Sequence, residues 1–251
     1  MEYDEYVAAV RAEIDGFVQA VAACPARAAV PTCPDWTVAD LAEHVGQFCG
    51  FWTHVLCEGT GRPKTPFKVE PDGAPLAGWL EELGGFLVAE LSATPSPARV
   101  WTWYEADQSA AFVARRSAHE LAVHRYDAQS ALGACRPIPR GLAADGIDEV
   151  LTVLVEARPR TGQSAGASMH VAATDAGSEW FVTLLPDRID VERRGPTDQR
   201  RPADEHAPAD LNLNGAASDL ELLLYGRPTL GDVERRGDPA VLEAWRREFL
   251  F

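Results

Sequence analysis

Apolar residues recur three and four positions apart through the first half of the chain, and a period of two takes over in much of the second half. Tyr6, Val10, Ile14, Phe17 and Val21 mark a first helix that stops at Cys24-Pro25. VPTCPDW (Val30–Trp36) reads as an extended, proline-punctuated approach. Thr37 then stands as the N-cap of a second helix, with Asp40 completing an acidic variant of the capping box. Leu41, Val45, Phe48 and Trp52 form the apolar stripe of that helix, and His44 lies inside it. A third helix carries Trp79, Leu83, Phe86 or Leu87, and Leu91, ending before TPSP. A fourth runs from near Asp107 to about Gly133 and presents Phe112, Val113, Arg116, Glu120, Val123, His124 and Asp127 toward one side.

Beyond Gly133 the pattern changes. ACRPIPRG (Ala134–Gly141) reads as a linker and Leu142–Ala157 as an amphipathic helix. SMHVAAT, EWFVTLL, RIDVERR and ADLNLNG then read as strands separated by turn residues. Two helices, AASDLELLLYGR and PAVLEAWRREFLF, close the chain. The expectation is a two-domain protein: an all-α four-helix bundle over 1–136, then a smaller α+β domain over 137–251, with no internal repeat.

Composition narrows the partners. The net charge is −15 and the basic residues are scattered, so a phosphate backbone would be repelled and no nucleic-acid partner is expected. No apolar run approaches the ~20 residues of a membrane-spanning helix. The start of the chain is acidic from Glu2 onward, unlike a secretory leader, which points to the cytoplasm. Lys64 and Lys68 are the only lysines among 23 basic residues, a bias that reads as GC-rich coding. The cysteines (Cys24, Cys33, Cys49, Cys57, Cys135) are odd in number and form no CxxC pair. That argues against a disulfide framework or a thiolate zinc finger.

The chemistry concentrates in DLAEHVG (Asp40–Gly46) and HELAVHRYDA (His119–Ala128). Glu120 and His124, four apart, share one helix face. With His44 from the second helix they make a set of three metal ligands with room for a fourth, the pattern of a catalytic zinc site. Glu120 faces inward with no partner fixed by the sequence, and a divalent cation would offset the cost of burying a lone carboxylate. Each residue alone has a plainer reading, since a histidine on an apolar face is commonly a hydrogen-bonded core residue. His119 points about 100° away from Glu120 and is supporting or structural. His54 sits off the face of His44. Asp127, three residues past His124, either orients that imidazole or joins Arg125 in ordinary salt bridges. The Gly59–Pro75 loop is a lid or a plain surface loop.

VPTCPDWTVADLAEHVG, RRSAHELAVHRYDAQSALG and GAASDLELLLYGR, in that order, resemble the mycothiol-dependent maleylpyruvate isomerase family. That family joins a DinB-like metal-binding four-helix bundle to a domain similar to sterol carrier proteins. The resemblance implies His44, Glu120 and His124 as ligands of a divalent metal, expected to be zinc. It also implies that Arg227 reaches from the second domain toward the active site; the plainer reading is a charge at a helix C-terminus. The implied cosubstrate is mycothiol, the low-molecular-weight thiol of actinobacteria. Its thiolate would serve S-transfer to, or cis–trans isomerisation of, a small electrophile such as maleylpyruvate, with an arginine gripping the substrate carboxylate. Two other functions fit the same residues. One is a metal hydrolase with metal-activated water and Asp127 or His119 as base; the other is a non-enzymatic small-molecule binding protein with a structural metal.

Overall fold

The computed structural model describes residues 1–59, 61–62, 69–71, 73–157, 166–195 and 209–249. Much of the expected lid at 59–75 therefore lies outside the described residues. The chain divides into two compact units, Met1–Arg136 and Pro137–Phe251.

The first unit consists of α1 (Tyr3–Ala23), α2 (Val38–Glu58), α3 (Leu76–Ala93) and α4 (Ala110–Leu132). α1 packs on α4 and α3, and α2 packs on α3 and α4. The cap predicted at Thr37 is formed: its Oγ1 accepts the Asp40 N–H, and the Asp40 carboxylate accepts the Thr37 N–H at 2.8 Å. Ser109 accepts the Phe112 N–H to start α4, which ends at Gly133 in the left-handed region (φ 64°), where glycine meets no Cβ penalty. Leu87, rather than Phe86, completes the buried stripe of α3.

The bundle contains an internal repeat that the sequence pattern did not suggest. In the loop before α2, Ala28 N–H donates to Pro25 O, Val30 N–H to Trp36 O, Val38 N–H to Ala28 O and Ala39 N–H to Ala26 O. In the loop before α4, Ala98 N–H donates to Pro95 O, Val100 N–H to Gln108 O, Ala110 N–H to Ala98 O and Ala111 N–H to Ser96 O. The second loop is two residues longer, and the extra length falls between Val100 and Gln108. Burial keeps the same register. Val10, Ile14, Phe17 and Val21 of α1 answer to Leu80, Gly84, Leu87 and Leu91 of α3. Val38, Leu41, Ala42 and Val45 of α2 answer to Ala110, Val113, Ala114 and Ser117 of α4. Counterparts meet at the centre, where a Cβ added to Gly84 would lie 2.4 Å from Ile14 Cγ1. The repeat escapes a sequence reading because a helix face constrains apolar character and size, not identity.

The second unit begins with α5 (Arg140–Glu149), which passes into a π-helical turn, Val150–Leu154. The predicted single helix to Ala157 is thus cut short, at a run rich in β-branched valine and threonine where the chain winds wider. A five-stranded sheet follows in the order β3-β2-β1-β4-β5, with β1 Ser168–Ala173, β2 Ser178–Leu184, β3 Ile189–Arg194, β4 Leu211–Gly215 and β5 Glu234–Gly237. β1 and β4 run parallel and the other neighbours antiparallel. β5 was not expected: ERRG has no apolar alternation, because it is a fully exposed edge strand defended by charge. α6 (Ala217–Leu224) packs on β1 and β4, and α7 (Pro239–Phe249) on β4. They cover a buried face that includes Met169, Val171, Leu211 and Leu213. A helical bundle followed by a smaller α+β unit is the predicted fold class. Among the described residues no helix is long and apolar enough to cross a membrane.

Candidate metal centre

α2 and α4 each bring polar groups to the seam between them. The Thr37 cap fixes where α2 begins, and His44 follows two turns later; α4 presents Glu120, His124 and Asp127 from one face. Glu120 Oε1 lies 3.1 Å from His44 Nε2 and 3.3 Å from His124 Nε2. The two imidazoles meet edge to face at 4.8 Å, and the Trp36 ring lies 5.2 Å from His44. His124 Nδ1–H donates to Asp127 Oδ2 at 2.9 Å, which turns Nε2 toward Glu120. The His44 side chain is 38% exposed while Asp127 is fully buried, so the site opens on the α2 side.

The cationic partner that the sequence left open is Arg116: one turn earlier and buried, it donates from Nη2 to Glu120 Oε2 at 2.5 Å. The i, i+4 spacing was visible in the sequence, but not which way the guanidinium turns. Trp36 against His44 is likewise a contact with no sequence signal.

The electrostatics follow from these contacts. Burial on its own would raise the Glu120 carboxyl. Arg116 and the hydrogen bonds from His124 and His44 prevail, and hold it well below the ordinary carboxylate range. Burial would lower His124, yet the Asp127 and Glu120 carboxylates beside it lift it to about 9.

The donor set fits a divalent cation. One ligand atom from each of His44, Glu120 and His124 can be chosen so that all lie within 4.8 Å of one another. The two observed separations, 3.1 and 3.3 Å, match the roughly 3.4 Å between ligand atoms around four-coordinate zinc with bonds of ~2.0–2.1 Å. Two imidazoles and a carboxylate are donors that suit zinc. Two other histidines of the bundle lie apart from this set. His119 is buried edge-on to Tyr6 at 6.3 Å, and His54 is outside the cluster. Arg227 belongs to the second unit, where it is buried just past α6 and donates from Nη1 to Tyr225 O at 2.8 Å.

Comparison with known proteins gives this geometry a context. Residues 7–129 match the family model of the mycothiol maleylpyruvate isomerase N-terminal domain. Two crystal structures of a mycothiol-dependent maleylpyruvate isomerase superpose on the chain. A histidine-to-alanine variant does so with a TM-score of 0.64 at 13% identity, and the enzyme itself with 0.63 at 15%. Each alignment covers 94% of this chain and 93% of the other. At such identity the likeness is one of fold. No curated protein matches the chain in sequence. Residues 7–129 thus carry the mycothiol maleylpyruvate isomerase N-terminal domain, and the chain shares its fold nearly end to end with that isomerase.

Proposed function

We propose that this protein is a metal-dependent enzyme that uses mycothiol to isomerise, or to transfer sulfur to, a small electrophile such as maleylpyruvate. The observation that carries the reading is the convergence of His44, Glu120 and His124 on one point of the α2–α4 seam. These three would hold the metal, with zinc the expected ion. Bound there, it would lower the pKa of a thiol at its open position and keep it as a thiolate near neutral pH. Asp127 holds the His124 ring in the tautomer that offers Nε2. Arg227 is assigned to the substrate carboxylate, which a guanidinium grips through two parallel hydrogen bonds.

Three of the chain's own cysteines, Cys49, Cys57 and Cys135, are poor thiolates, which favours an external thiol. Burial pushes the Cys49 thiol up to about 12, with Glu120 adding to the effect, so it is no nucleophile. Burial and nearby glutamates, Glu90 first, raise Cys57; burial also raises Cys135. The hydrolase reading is weaker because its two candidate bases are buried away from solvent, Asp127 against His124 and His119 beside Tyr6.

Metal analysis beside activity tests the proposal. Wild type is expected to carry about one divalent ion per chain, and His44→Ala/His124→Ala none. The double variant should also lose mycothiol binding and mycothiol-dependent turnover of maleylpyruvate or a related electrophile. A metal-free wild type whose melting and thiol binding ignore added zinc would sink the reading. Thiol-independent ester turnover would shift it to hydrolysis. Small-molecule binding that survives in the double variant, with no turnover of any thiol substrate, would make the protein a binding module.

A further inference from the structure

Glu120 divides its two oxygens between different neighbours. Oε1 is the atom both imidazole Nε2 groups approach, at 3.1 and 3.3 Å, while Oε2 accepts from Arg116 at 2.5 Å. The Arg116 side chain is only 5% exposed, so this ion pair sits largely out of water. Arg116 stands seven residues past the Ser109 cap, the place His44 holds after Thr37 in the other copy of the repeat.

We infer that Arg116 is a positioning residue that restricts Glu120 to one donor oxygen and offsets its charge, leaving the fourth metal position open to an anionic sulfur ligand. The inference rests on the metal centre proposed above. A carboxylate with both oxygens available can chelate a divalent cation through both, filling a place that a substrate thiolate needs. A guanidinium hydrogen-bonded to one oxygen prevents that. It also cancels the carboxylate charge, so a bound dication would keep more of its pull on an incoming thiolate. A lysine would supply the charge but not the fixed planar donor geometry.

The test uses the full chain loaded with cobalt(II), read by visible absorption and by titration with mycothiol. Wild type is expected to show the intense bands of four-coordinate cobalt. Arg116→Met should retain cobalt, with bands weakened toward those of higher coordination. Its mycothiol dissociation constant should rise about 10-fold or more, in line with the usual cost of losing a residue that supports a metal ligand. Arg116→Lys should recover part of the thiol affinity and little of the spectrum. A wild-type spectrum and thiol affinity in cobalt-loaded Arg116→Met would overturn the inference, as would a folded Arg116→Met that takes up no cobalt. If Arg116→Met fails to fold, Arg116→Lys decides, and a wild-type spectrum in it is fatal. Wild type that binds no cobalt overturns both the metal centre and this role.

Discussion

In the first half of the bundle, α1 and α2, the seventh position past the N-cap holds His44, and the next two turns hold Phe48 and Trp52. In the second half, α3 and α4, the equivalent positions hold Arg116, Glu120 and His124. The loop hydrogen bonds and the register of buried residues are common to both. The scaffold therefore depends on caps and apolar spacing, and the positions facing the α2–α4 seam are left to carry chemistry. The same contrast holds at the packed seams. α1 and α4 share a buried Arg125–Glu13 ion pair, whose counterparts in α2 and α3 are Thr53 and Leu83.

That buried pair should give the largest stability difference between the copies. Arg125→Met leaves Glu13 buried without its charge partner, at a cost of ~3–5 kcal/mol in denaturant unfolding. Adding Glu13→Leu, the residue of the other copy, should restore most of it. A single variant within ~1 kcal/mol of wild type would show that the pair is not the distinguishing feature of this seam.

Steric contrasts come next. Gly84→Ala places a Cβ against Ile14, its own counterpart, and Gly46→Ala, copying Ala118, drives one into the Trp79 ring at 2.1 Å. Each should cost ~1–3 kcal/mol. In an Ile14→Ala background, which lacks Cγ1, Gly84→Ala should cost less, and additive costs in that double-mutant cycle would mean that the two helices do not meet there.

The caps should differ least. Thr37→Ala and Ser109→Ala are each expected to cost ~1 kcal/mol, Thr37 the more because Asp40 reciprocates its bond. Equal losses would show that the reciprocal bond adds nothing.

A pH series separates His124 from Trp52, its untitratable counterpart. The His124 pKa in the folded metal-free protein is raised to about 9 from an ordinary 6.5. The stabilisation is therefore complete below pH 6.5 and is lost as pH rises from there through 9. Melting of the metal-free protein should fall across that window, and His124→Gln should flatten the fall. Zinc uptake should release protons over the same range, because the ligand nitrogen must be neutral. An unchanged profile in His124→Gln would assign the titration elsewhere.

The sequence by itself determined the local structure and singled out the residues of the candidate site. The Thr37 and Asp40 cap, the apolar stripes of four helices, the alternation of four strands and the helical pairing of Glu120 with His124 are written in short windows. There, propensity, capping and periodicity carry the free energy. What only the tertiary structure decided depends on how elements approach one another. The meeting of His44 Nε2 with Glu120 Oε1 spans 76 positions, and which way the Arg116 guanidinium turns is seen only in the packed bundle. β5 pairs through its backbone, with no side-chain pattern to announce it. The internal repeat is held by hydrogen bonds and burial, which many different residues satisfy equally well, so the letters do not announce it.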